Sequence, residues 1–188
     1  MEKQNISIFA GTDCKPIKQG SEIASFGRIR VDSPDNFFGG VFGSTEKNIA
    51  KSHGNTIQHF SIPSELIMSC DEMDNMLYDA EESAQISNIV VNIAKTELYE
   101  TLEEEELEEL IEYITEEKNF FASEPDMGLE RLSEIVGYTE PAEIDWTIQG
   151  IRGEVARYLG YAAIDMKDEH GTSTLVLNHP EVQVIEKF

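Results

Sequence analysis

The last quarter of the chain constrains its fold most. Apolar residues fall at Ile144, Ile148, Ile151, Val155 and Leu159, a spacing of three and four that places them on one helical face. Gly160 follows at the position where a left-handed helix end is wanted. Tyr161 to Ile164 and Thr174 to Leu177 are short apolar runs on either side of Asp168-Glu169-His170-Gly171, the pattern of two strands paired around a turn. The spacing therefore predicts an amphipathic helix, a glycine stop and a β-hairpin with two carboxylates at its head. Asp is common in hairpin turns, so either acid taken alone reads equally well as a turn residue. Presented together, Asp168 and Glu169 are the chain's first candidates for chemistry.

The N-terminal third reads as strands and tight turns. Asn5 to Ala10 alternate as a first strand that ends at Gly11-Thr12-Asp13, and Gly27 to Val31 is a possible short strand. Ser33-Pro34-Asp35-Asn36 is turn chemistry. Phe37 to Ser44 reads as a strand softened by glycine, with Thr45 placed to cap a short helix from Glu46 to Ser52 that stops at Gly54. Thr56 to Ile62 is another strand, closed by Pro63-Ser64.

Between Ser69 and Glu140 the composition changes. Asp71, Glu72, Asp74, Asp79, Glu81 and Glu82 precede an apolar stretch from Ile86 to Leu98, and a run of glutamates from Glu103 to Glu112 follows. Leu102, Leu107, Leu110, Ile111 and Ile114 keep helical spacing through that run, which marks a helix with one apolar stripe and an acidic face, since a disordered acidic tail would lack the stripe. The glutamates read first as a solvated face, and secondly as a surface that resembles nucleic acid in its charge. Strands flanking a central helical segment give an α+β fold, expected as one domain over 1–188 with a helical, acidic insertion at about 69–140.

Charge and cysteine usage exclude whole classes of function. The net charge is −23, from 37 Asp and Glu against 14 Lys and Arg. Proteins that bind nucleic acid neutralise phosphates with clustered basic residues, and no such cluster is present in this sequence, so direct nucleic-acid binding is not expected. Association with anionic membranes is disfavoured for the same reason. A basic protein partner, or a surface that normally grips nucleic acid, would be attracted. Cys14 and Cys70 have neither metal-ligand spacing nor the pattern of a disulfide framework. With His53, His59, His170 and His179 scattered, no metal site is expected. The polar start Met1 to Asn5 runs straight into Ile6-Ser7-Ile8-Phe9 and shows no signal-peptide pattern, so a cytoplasmic location is expected.

Taken in order, the pieces resemble the ADP-ribosyltransferases. Phe9-Ala10-Gly11-Thr12 is similar to the Tyr-His-Gly-Thr end of the family's first strand. Gly39 to Thr45, with its short helix and Gly54, resembles the aromatic-glycine strand that follows, and Met166 to Thr172 the late acidic hairpin. Phe60-Ser61-Ile62, Ser64 to Met68, and Trp146-Thr147-Ile148-Gln149 with its helix narrow the resemblance to small anti-CRISPR enzymes of this family that act on type I-F systems. The likeness spans both ends of the chain and little of 69–140. It implies a split β-sheet core, NAD as substrate with no metal, and a phage or mobile-element product acting in the host cytoplasm. It also implies a partner, the DNA-recognition subunit of the host CRISPR surveillance complex, modified on a residue used to read DNA.

The resemblance assigns roles residue by residue. Asp168 matches the acidic position of the family's hairpin and stands as catalytic, with Glu169 second. Phe9, Ala10, Gly11, Thr12, Phe42, Ser44 and Gln149 stand as cofactor-binding residues, with backbone groups of Gly11 on the nicotinamide amide and Phe42 stacked on the ring or packed in the core. Trp146 and Gln149 share a helical face; Trp146 reads as core. The chain departs from the pattern at Ala10, where many members carry His, and at Ser173, where a late Glu is usual; no arginine occupies the first strand. His53, His59 or His170 would be the substitutes at hand. These departures keep a second function open, a non-enzymatic acidic inhibitor that fills a DNA-binding groove by charge mimicry.

Overall fold

The computed structural model describes residues 4–12, 17–19, 23, 40–76, 78–93, 103–115, 129–137, 141–168 and 171–185; of Thr12, Asp168 and a few helical residues it describes the backbone alone. Two sheets form. One has the order β1-β3-β7, from Asn5–Thr12, Thr56–Pro63 and Gln183–Ile185. The other has the order β2-β6-β5-β4, from Gly40–Gly43, Gly171–Leu177, Ala163–Asp168 and Ile67–Met68. All pairings are antiparallel except that of β4 with β5. A parallel pair needs a crossover, and residues 69–162 supply it. The acidic helical segment is therefore the connection that brings the chain back beside β4.

Strand alternation divides the core in two. Ile8 and Ala10 of β1, Phe60 and Ile62 of β3, Val41 of β2, Ala163 of β5 and Val176 of β6 are buried in a cluster between the sheets. Ile164 and Met166 of β5, with Leu175 and Leu177 of β6, point the other way and meet the helices. Those helices are α2 (Cys70–Met76), α3 (Ala80–Ile93), α4 (Glu104–Thr115), α5 (Leu129–Val136) and α6 (Pro141–Tyr158). Ile86 and Val90 of α3, Leu110 and Ile114 of α4, and Ile144, Ile148 and Val155 of α6 are buried together there. The apolar stripe predicted through the glutamate run is thus the core face of α4, and Glu104, Glu105, Glu108 and Glu112 are exposed on its other side.

Local chemistry sets the helix ends. Asp79 Oδ1 accepts from the backbone N–H groups of Glu81 and Glu82, at 2.9 and 3.1 Å, and starts α3, as an Asp cap does. Pro141 opens α6, where its missing N–H costs nothing. Gly160 closes that helix at φ +90°, with Tyr161 N–H donating to the Ala156 carbonyl at 3.0 Å, a glycine stop of the Schellman kind. Arg152 of α6 is fully buried and donates to the Ile114 carbonyl near the end of α4, a position where a cation suits both the free carbonyls and the helix dipole.

One expectation for the segment after β2 is corrected and one holds. Thr45 does not cap the short helix α1 (Lys47–Ala50): Glu46 occupies the cap position without a side-chain cap bond, and its own N–H donates to Ser44 Oγ at 3.0 Å. The helical segment does stop at Gly54, which caps its end. A single 3₁₀ turn, Lys51–His53, intervenes, and Gly54 is extended at φ 162°. The possible strand at Gly27 to Val31 lies outside the described residues.

Tyr161 fastens the start of β5 to α2. Its hydroxyl donates to Glu72 Oε1 at 2.7 Å, while Glu72 Oε2 accepts from Ser69 N–H at 3.2 Å. Burial, then the Glu72 bond and its negative charge, push the phenol up to about 12. The folded state therefore holds the proton more tightly than an unfolded tyrosine at about 10. This contribution is complete below pH 10 and is lost as pH rises through 12, because the unfolded chain then binds fewer protons than the folded one. Tyr161→Phe is expected to flatten the fall in stability between pH 10 and 12 in alkaline denaturation; an unchanged slope there would show that the Glu72 bond does not hold the phenol proton.

Candidate active site

Among the described residues one isolated bridge joins the two sheets. β2 pairs with β6 as far as Gly43↔Thr174 and then changes partner: Phe9 N–H donates to the Ser44 carbonyl, and Ser44 N–H to the Phe9 carbonyl, both at 2.8 Å. Gly43 makes the change possible, because a side chain there would strike the Phe9 carbonyl at 2.8 Å and Ile8 Cγ2 at 2.7 Å. The row Gly43, Thr174, Asp165 crosses the sheet at this level, with Thr174 Oγ1 donating to Asp165 Oδ1 at 2.6 Å.

Beyond that row β5 and β6 continue alone as the expected hairpin. Asp168 is the last residue of β5 and pairs with Gly171, about 10 Å past Thr174 at some 3.4 Å per residue. Glu169 and His170 lie between them, outside the described residues. The register thus brings the Asp168–Gly171 pair and the Phe9–Ser44 junction to the same end of the sheet.

Around the junction each expected residue has a definite place. Phe9 is half-buried, and its ring stacks on the imidazole of His59, with centroids 4.7 Å apart and planes at 25°. His59 Nε2 lies 3.0 Å from Ser7 Oγ. One of the three histidines named as substitutes is therefore beside Phe9; His53 is exposed on the 3₁₀ turn, and His170 lies outside the described residues. Ala10 is fully buried between the sheets and pairs with Gln58. Gly11 approaches protein rather than open space, since a Cβ there would lie 1.8 Å from the Ala50 carbonyl oxygen. Thr12 pairs with Thr56 at the end of β1. Ser44 is buried, and its hydroxyl accepts from Glu46 N–H.

Two of the expected ligand residues sit on the helical side. Phe42 pairs with Leu175 and packs against the core beneath the helices, the packing outcome already open for it. Gln149 donates from Nε2 to Asp145 Oδ2 at 2.9 Å, one turn before Gly153, which abuts Leu175. Trp146 is half-buried against the same core, as its core reading expects. Gln58, which the sequence analysis does not single out, is buried on β3, and its Oε1 has no hydrogen-bond partner among the described residues. A polar side chain within an alternating apolar strand was the available signal.

Among the described residues no group of three or more potential metal ligands is gathered, and no helix is long and apolar enough to cross a membrane. Comparison with known proteins adds to this geometry. The family model Anti-CRISPR Type I-F ADP-ribosyltransferase AcrIF11 matches residues 17–184. A crystal structure of an anti-CRISPR protein superposes with a TM-score of 0.55 at 25% identity, covering 96% of this chain and 96% of that one. No curated protein matches. The α+β core of two joined sheets is the ADP-ribosyltransferase-like fold, and the chain belongs to the family of type I-F anti-CRISPR ADP-ribosyltransferases named for AcrIF11.

Proposed function

We propose that this protein is a mono-ADP-ribosyltransferase, from a phage or mobile element, that inactivates a host type I-F CRISPR surveillance complex. It acts as a single domain in the host cytoplasm and transfers ADP-ribose from NAD to a DNA-reading residue of the DNA-recognition subunit. The observation that carries this reading is the placement of the Asp168 strand end at the same end of the sheet as the Phe9–Ser44 junction, in a chain of this family. Breaking the bond between nicotinamide and ribose leaves an oxocarbenium-like ribose. A fixed carboxylate near that carbon stabilises the positive charge as it develops, and the acceptor then attacks the same carbon as nicotinamide departs. ADP-ribose on a DNA-reading residue adds bulk and two phosphate charges where DNA phosphates must approach, so recognition fails by blockage and repulsion.

A second reading is favoured by the exposed glutamates of α4 and the net charge of −23: the acidic face occupies a DNA-binding groove without chemistry. Intact-mass analysis of a purified surveillance complex, incubated with this protein and NAD, separates the two. The enzyme reading expects one subunit to gain the mass of one ADP-ribose unit, only when NAD is present. Tight association with unmodified subunits would establish the acidic inhibitor instead.

A further inference from the structure

We propose that Gln58 is a ligand-binding residue of the NAD site, its side-chain carbonyl accepting a hydrogen bond from the dinucleotide. The inference rests on the NAD reading above and extends it to a residue that the family motifs do not mark.

Gln58 lies on β3, the central strand of its sheet, where burial alternates through Gln58, Phe60 and Ile62. Phe60 and Ile62 belong to the cluster between the sheets, so Gln58 is directed into the same space. It is only 3% exposed, and its Oε1 has no hydrogen-bond partner among the described residues. A buried carbonyl left unpaired forfeits its hydration without return, and such groups are rare enough in folded proteins to call for a cause. The neighbour across the strands cannot help, because Ala10 pairs with Gln58 and offers only a methyl group.

Position supplies the cause. Gln58 is one register step from His59, the partner of Phe9, and Phe9 is the residue that joins β1 to β2. The unsatisfied acceptor therefore lies in the buried layer between the sheets, at the level where they meet. An acceptor selects a donor, and NAD carries three neutral kinds, the ribose hydroxyls, the amino group of adenine and the carboxamide N–H of nicotinamide. A phosphate, which offers only acceptors at neutral pH, does not satisfy it.

The test uses the full chain and Gln58→Leu, which keeps much of the side-chain volume and removes both polar atoms. Removing an unpaired buried acceptor is expected to leave the ligand-free melting temperature unchanged or to raise it. Titration calorimetry with NAD is expected to show binding about five- to tenfold weaker, the worth of one neutral hydrogen bond. ADP-ribose and nicotinamide, titrated separately, locate the donor: a penalty confined to ADP-ribose names a ribose hydroxyl or the adenine amino group, and one confined to nicotinamide names the carboxamide. A variant that melts lower and weakens both ligands alike has lost local structure, which overturns the assignment. Equal NAD affinity in the two proteins overturns this inference alone, whereas absence of NAD binding by the wild-type chain overturns it together with the NAD reading.

Discussion

Asp168→Ala is expected to lower ADP-ribose transfer by about 100- to 1,000-fold, the usual cost of removing a group placed to stabilise transition-state charge. The expectation follows from the residue's place at the end of β5. Asp168 holds its strand position through backbone pairing with Gly171, and that pairing needs no side chain, so the register survives the substitution. Asp168→Asn tests charge against shape: if the negative charge matters, asparagine fails nearly as badly as alanine. Glu169→Ala should cost less. Single-turnover transfer at saturating NAD is the measurement, because it isolates the chemical step from product release. Full activity in both the Asp168 and Glu169 variants would remove the hairpin from the mechanism.

The elements legible in the sequence were those with a strong local period or punctuation. The three-and-four spacing from Ile144 to Leu159, Gly160, and the apolar runs around Asp168 to Gly171 correspond to α6, its left-handed end and the hairpin. The stripe through the glutamates was legible for the same reason. What stayed hidden depends on pairing between distant segments. Nothing local indicates that β2 leaves β6 at Gly43 and joins β1 through Ser44, or that the helical segment closes a parallel pair. Helix-start chemistry misled at Thr45 because Ser44, one residue earlier, already accepts from the first available N–H. The assignments of Phe42 and Gln149 came from motif resemblance, which fixes position along a strand or helix but not what else competes for the side chain. Phe42 meets the helical core, and Gln149 meets Asp145. Gln58 escaped notice because a glutamine in a strand has no meaning until its burial and its partners are known.

Gly11→Ala is expected to destabilise the chain by about 3 kcal/mol, at the upper end of what an added methylene costs in packed protein, and so to lower the melting temperature by roughly 6–12 °C at this size. A Cβ at Gly11 would lie 1.8 Å from the Ala50 carbonyl oxygen, 2.9 Å from its carbon and 3.1 Å from Gly54 N. All three are backbone atoms, so no rotamer change relieves the contact: β1 and the end of α1 have to move apart. Backbone conformation is a different effect, and Gly137 isolates it, with φ +75° and nothing within 4 Å of an added Cβ. Gly137→Ala should therefore cost only about 1–2 kcal/mol, the penalty of a left-handed alanine. Two residues before Gly11, Phe9 makes the bonds that join the sheets, so separation at Gly11 disturbs that junction and lowers NAD affinity along with stability. A ligand-free melting scan distinguishes this from a glycine needed solely for approach of NAD: in that case Gly11→Ala would melt like the wild-type chain and lose only NAD binding, and the packing account of Gly11 would be abandoned.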